Sequence, residues 1–192
     1  MASKALAPQP AIRADARRNR EIILQVARTA VAQDGTEASL RKIARDAGIG
    51  LGTLYRHFPT RDALLQEILQ SSFDELTRRA DILAGMHDPL EALEIWVDEL
   101  VASTSTHQGL AASMVDKLRE PASSLYEACA SLRRAGDRLL GAAQSADRIR
   151  PDMEGADLMS LVSAIAWLTD REALTVERRR HLFNLIMDGL KK

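Results

Sequence analysis

The sequence predicts an all-α protein of about nine helices, with an N-terminal three-helix head on a larger helical body. Three observations carry this. Apolar residues recur at helical spacing along nearly the whole chain. Gly, Pro and polar capping residues divide that pattern into segments. The composition is 46% hydrophobic but only 4% aromatic, and its richness in Ala and Leu favours helix over strand. No segment alternates with period two, and no repeat or low-complexity tract interrupts the pattern. At 192 residues the chain is long enough for one or two small domains with a packed core.

Ser3 to Pro10 is rich in Ala, Pro and Gln and reads as part of a flexible arm, residues 1–14. The first helix is expected from about Asp15, with Ile23, Val26, Ala27, Ala30 and Val31 as its apolar stripe and Asp34-Gly35 as its end. Ser39 suits the N-cap of a second helix, which places Leu40, Ile43, Ala44 and Ala47 on one face. Gly48 then supplies a tight turn at positive φ, a backbone state cheap only for glycine. A third helix carries Leu54, Tyr55 and Phe58. Pro59 stops it, because the residue before a proline is pushed out of helical geometry. Thr60 restarts the chain as a long fourth helix, from Arg61 to about Leu83.

The body continues in helices. Asp88-Pro89 opens one whose apolar face is Leu93, Trp96, Val97, Leu100 and Val101. A shorter helix is expected near Leu110–Leu118, after Gly109. Glu120-Pro121 starts the next, with Leu125, Cys129, Leu132, Gly136, Leu139 and Ala143 in line. Arg150-Pro151-Asp152 breaks it, and helices near Glu154–Leu168 and Thr175–Leu190 close the chain. The expected domains are a head over 15–62 and a body over 63–192.

The formal charge of −1 hides an asymmetry: residues 1–62 carry a net +5 and residues 63–192 a net −6. A basic head on an acidic body points to a polyanion held by the head alone. The lone Cys129 excludes an internal disulfide and a cysteine-based zinc cluster, and fits a reducing cytoplasm. MASKALAPQP has no apolar stretch behind its lysine, so no secretory signal is read there. No apolar run approaches the roughly 18 residues that span a bilayer, so no membrane partner is expected. Carboxylate pairs, nucleophile triads, phosphate loops and metal-ligand spacing are not seen. Neither an enzyme nor a cofactor or metal is expected.

Residues 39–62 carry the function. Helix, glycine turn and proline-stopped helix make a helix-turn-helix, whose second helix enters a DNA major groove. Gly52 and Thr53 lie near the N-terminus of that helix, the end that approaches base edges. Glycine permits close approach, and Thr53 can bond a base or phosphate or touch a thymine methyl. Tyr55 offers its phenol to a phosphate, or serves as a core aromatic. His57 donates to a phosphate, or caps the helix. Arg56 reads as a base or phosphate contact or as a solvated side chain, and Leu51 as a methyl contact or as exposed. Arg13, Arg17, Arg18 and Arg20 form either an arm toward the minor groove or a solvated first turn. Few of these residues are long bidentate readers, so each half-site is read thinly and two heads are required.

The residues Ser39-Leu40-Arg41-Lys42-Ile43-Ala44, Ala47-Gly48-Ile49, Gly52-Thr53-Leu54-Tyr55-Arg56-His57-Phe58-Pro59 and Arg61-Asp62-Ala63-Leu64-Leu65 together resemble the TetR family of transcriptional regulators. The resemblance covers about residues 15–65, a third of the chain. The body resembles the family only in length, helicity and the Arg150-Pro151-Asp152 break. By this resemblance Thr53, Tyr55, His57 and Arg61 contact DNA, mostly its backbone. Arg41 and Lys42 are further phosphate candidates, Lys42 the weightier.

The last two helices present Leu158, Leu161, Val162, Ile165, Leu182, Phe183, Ile186 and Met187. That is too much apolar surface for solvated faces: it is either buried inside the monomer or, as the family arrangement favours, forms a four-helix homodimer interface. Trp96, Met114, Tyr126, Cys129 and Trp167 are the candidates for a small-molecule pocket, with core packing as the alternative for each. The expected function is a sequence-specific regulator, a repressor released from a pseudo-palindromic double-stranded DNA operator by a small molecule of unknown identity. The alternative is a DNA-binding regulator governed by a protein partner, with a fully packed body and no effector.

Overall fold

The computed structural model describes residues 10–171 and 175–192. Residues 1–9 of the expected arm, and the Arg13 side chain, lie outside what it describes. Among the described residues there are nine α-helices and a single 3-10 turn, with one isolated antiparallel bridge between Ile149 and Lys191 and no strand. None of the described helices is long and apolar enough to cross a membrane. The chain divides into two compact units, Met1–Ile68 and Leu69–Lys192.

In the first unit α1 spans Pro10–Asp34, a 3-10 turn covers Gly35–Glu37, and α2 and α3 span Leu40–Asp46 and Leu51–His57. The long α4, Arg61–Met86, begins here. Helix α1 starts upstream of Asp15 because proline suits a first helical turn and Ala11 and Ala14 are strong helix formers. Ile23, Ala27, Ile43, Ala44, Leu54 and Phe58 are buried together with Leu64, Leu65 and Ile68 of α4. The side chain of Ser39 accepts from the Lys42 amide at 3.3 Å and caps α2.

In the second unit the C-terminal part of α4 is followed by α5 (Pro89–Ser113), α6 (Val115–Arg119), α7 (Ser124–Ser145), α8 (Gly155–Arg171) and α9 (Val176–Leu190). Helix α5 is central and packs on α7, α8 and α9. Asp88 caps it by accepting from the Leu90 amide at 3.1 Å, with Pro89 at its first position. Gly109 does not break α5. Continuing the helix buries Leu110, which returns about 1.5–3 kcal/mol against the roughly 1 kcal/mol penalty of a helical glycine. Likewise α7 starts after Pro121, where the buried Ser123 accepts from the Leu125 amide at 3.2 Å. Trp96 is fully buried, its indole N–H donating to the Leu76 carbonyl at 2.8 Å and its ring lying 3.0 Å from where a Cβ on Gly136 would stand. The Arg150–Asp152 break closes on itself through two 2.6 Å bonds, and the Arg150 guanidinium holds the Asp152 carboxyl at a pKa of about 2.

Five of the expected interface residues belong to this core. Leu158, Val162, Ile165, Phe183 and Met187 are buried within the single chain. An apolar stripe must be covered, but its spacing does not say whether a neighbouring helix or a second subunit covers it, and here α5 does. Leu161, Leu182 and Ile186 stay half-buried, while Trp167 and Leu185 are 49% and 56% exposed.

Candidate functional site

The turn between α2 and α3 fixes the geometry of the head. Gly48 has φ +70°. Its N–H donates to the Arg45 carbonyl at 3.0 Å, and the Ile49 N–H to the Ala44 carbonyl at 3.0 Å. This reciprocal pair closes the C-terminus of α2 with glycine in the left-handed position. Gly50 then accepts from the Thr53 and Leu54 amides and starts α3. Seven residues cannot hold a helix in water by themselves, so α3 depends on this turn and on its buried face.

That face is Leu54 with Phe58 just past the helix end, both essentially inaccessible. At 100° per residue, Gly52 and Arg56 stand opposite it, flanked by Tyr55 and Thr53. Gly52, Tyr55 and Arg56 are exposed and Thr53 and His57 are half-buried. The Arg56 guanidinium donates to Thr53 Oγ1 at 2.8 Å, which steers it along the outer face beside the gap left by Gly52. Tyr55 is 44% exposed and therefore no core aromatic. Arg41 is exposed, and Lys42 lies 3.5 Å from Asp34.

Two arginines have other duties. Arg61 donates from Nη1 to the carbonyls of Thr36 and Ala38 at 2.7 and 2.8 Å, so its guanidinium satisfies the turn after α1. Arg20 belongs to no arm. It lies 4.6 Å over the Phe58 ring, donates to the His57 carbonyl at 3.3 Å and pairs with Glu67 at 2.9 Å. Both clamp the helix-turn-helix instead of projecting from it. Arg17 and Arg18 are exposed, Arg17 lying 3.9 Å from Glu21.

In the second unit a partly open pocket of about 140 Å³ lies between α4, α5, α7 and α8. Of the five sequence candidates only Cys129 lines it. Trp96 is sealed in the core, Met114 is buried elsewhere, and Tyr126 and Trp167 are exposed. Large side chains fill space, so the void lies between them, where Phe73, Thr104, His107, Arg133 and Met159 meet. The missed signal was polar: Ser103, Thr104 and His107 sit at i+3, i+4 and i+7 from Leu100, on the inward face of a core helix. Among the described residues no group of three or more His, Cys, Asp or Glu is placed to hold a metal ion.

A capped glycine turn that presents a short exposed helix, on a basic unit joined to a helical one, defines a helix-turn-helix regulator. Residues 23–68 match the family described as bacterial regulatory proteins, tetR family, and residues 88–192 match the SbtR-like transcriptional regulator C-terminal domain. The chain belongs to the TetR family of transcriptional regulators, and is not an enzyme. It is 31% identical over 121 residues to the HTH-type transcriptional regulator SAR2658 of Staphylococcus aureus (strain MRSA252), covering 60% of this chain and 65% of that one. To SAUSA300_2515 of strain USA300 it is 34% identical over 92 residues, 47% of this chain. The chain thus spans 50% to 65% of the length of these two curated relatives. Among solved structures it is similar to the TetR regulator SCO0520 of Streptomyces coelicolor, with TM-score 0.75, 29% identity and coverage of 90% of this chain and 98% of that one. A TetR regulatory protein from Mycobacterium vanbaalenii gives TM-score 0.74 at 30% identity, covering 94% and 99%.

Proposed function

We propose that this regulator is a cytoplasmic homodimeric repressor that binds a pseudo-palindromic double-stranded DNA operator and is released by a small molecule. The observation that carries the DNA-binding part is the outward face of α3, where Gly52, Tyr55 and Arg56 are exposed on a helix pinned by Leu54. Arg41, Lys42, Thr53 and His57 supply phosphate contacts around it, and Arg61 acts by holding the turn after α1. The cavity beside Cys129 supports control by an effector over control by a protein partner, which would need no void. Helix α4 runs through Ile68-Leu69, so a ligand that displaces its C-terminal part displaces one continuous helix. The subunit contact uses what α8 and α9 leave exposed: Trp167 and Leu185, with the half-buried Leu161, Leu182 and Ile186.

Selection of bound duplexes from a random pool tests this reading. The expected product is two inverted half-sites whose centres lie one helical turn or a multiple apart. Enrichment of a single half-site would overturn the dimer, and no enrichment at all would overturn sequence-specific binding.

A further inference from the structure

We propose that the pocket between α4, α5, α7 and α8 and the groove outside it form one site for an amphipathic anion, a carboxylic acid with an apolar tail. This rests on the effector-controlled reading above and names the chemistry of its effector. The two spaces share a wall. The pocket of about 140 Å³ and an outer groove of about 710 Å³ between α7 and α8 are both lined by Arg133, Met159 and Ser163. Away from that wall the pocket is lined by Leu69, Phe73, Leu100, Leu132 and Val162. A ligand lying across the junction buries its tail among these side chains and keeps its head beside Arg133, which is exposed.

Charge selects the head. Among the described residues that line the pocket there is no carboxylate, and Arg133 is the one permanently charged group. Three of the other polar side chains are bonded within the protein. Thr104 Oγ1 donates to the Leu100 carbonyl at 2.8 Å, and Ser163 Oγ to the Met159 carbonyl at 2.8 Å. The His107 ring has Nδ1 2.8 Å from the Ser103 carbonyl and Nε2 3.4 Å from Ser72 Oγ. Arg133 also differs from its neighbours on α7. Arg134 donates to Ser131 Oγ at 2.9 Å and Arg138 to Asp81 at 2.6 Å, whereas Arg133 makes no hydrogen bond or ion pair among the described residues. Asp137, one turn further along α7 and also on the groove, is turned to the start of α8, where its carboxylate fills the space that a Cβ on Gly155 would take. A guanidinium with five donors and no carboxylate of its own, at the edge of an apolar pocket, is complementary to a carboxylate.

The test puts three heads on one tail. Octanoate, octan-1-ol and octylamine are titrated into the full-length protein by calorimetry, with acetate as the head alone and operator binding measured alongside. Octanoate is expected to bind tightest and octylamine weaker than octan-1-ol. Arg133→Gln should weaken octanoate roughly threefold to tenfold, the value of a partly solvated charged pair, and leave octan-1-ol unchanged. Arg133→Lys should restore most of that loss. Ala111→Leu, which narrows the pocket from α5, should weaken octanoate and octan-1-ol alike while the protein still melts cooperatively and binds its operator. Octan-1-ol binding as tightly as octanoate, or octanoate affinity unchanged in Arg133→Gln, would overturn the anion assignment. Acetate binding as tightly as octanoate, or octanoate unaffected by Ala111→Leu, would overturn the buried tail. Octanoate bound as expected with operator affinity unchanged would leave the ligand class standing and overturn effector release instead.

Discussion

The two units of this chain are specified in different ways. The first sets short pieces against the long α1: α2 and α3 are seven residues each, and their placement depends on a serine cap, a glycine at φ +70° and two arginine clamps. The second is built, apart from the five-residue α6, from long helices with a broad apolar core around α5. In the first unit individual atoms matter. In the second, volumes matter, and the proposed effector site is the place where volume is missing. On the proposed function the difference has a reason: a head that meets a fixed lattice of phosphates needs rigid local geometry, whereas a body that senses a molecule needs room to repack.

The comparison breaks most visibly at two neighbours on α3. Leu54 is fully buried and Tyr55 is 44% exposed. Leu54→Ala should lower stability by about 2–5 kcal/mol through lost burial and the cavity it leaves. For so small a unit that is enough to melt the head while the body stays helical, giving two transitions by circular dichroism. Tyr55→Ala should leave the melt unchanged and weaken operator binding. A Tyr55→Ala variant that melts early would mean the ring is structural after all.

A second pair sharpens the division within the head. Arg61→Ala removes the donor for two main-chain carbonyls and should lower head stability by about 1.5–3 kcal/mol, without altering the salt dependence of DNA binding. Arg56→Ala should do the reverse. Stability holds, affinity falls by about 1–3 kcal/mol, and selection from random DNA loses preference at one base position per half-site. If the loss is uniform over sequences and the salt slope drops by about one, Arg56 contacts phosphate and reads no base.

These pairs also explain what could be read from the sequence. Ser39, Gly48 and Pro59 announce the helix-turn-helix because local backbone geometry demands those residue types at those places. The role of Arg61 was not legible, since its partners lie 25 and 23 residues back and are main-chain carbonyls that any residue supplies. Arg20 is hidden for the same reason: its aromatic and carbonyl partners are distant in sequence. In the body the helices were legible and their surroundings were not. The stripe through Leu158, Val162 and Ile165 says that it is covered without saying by what. By sequence Trp96 is either a pocket residue or a core residue, and its full burial with the indole N–H on the Leu76 carbonyl makes it core.

The smallest effect comes from one substitution made in both units. A Cβ on Gly48 would meet nothing within 4 Å, so Gly48→Ala is opposed only by the φ of +70°. It should cost about 1 kcal/mol in the urea unfolding of the head, and Gly48→Asn less, because asparagine tolerates the left-handed region. Gly136 is the opposite case. It sits inside α7, where alanine is favoured over glycine by about 1 kcal/mol, but its Cβ would press on the Trp96 ring at 3.0 Å. The helix gain offsets the crowding, so Gly136→Ala should shift the body's melting by less than Gly48→Ala shifts the head's. A large drop for Gly136→Ala would mean that Trp96, tethered to the Leu76 carbonyl, cannot yield. The body would then be as sensitive to single atoms as the head, and the distinction between the two units would fail at that helix crossing.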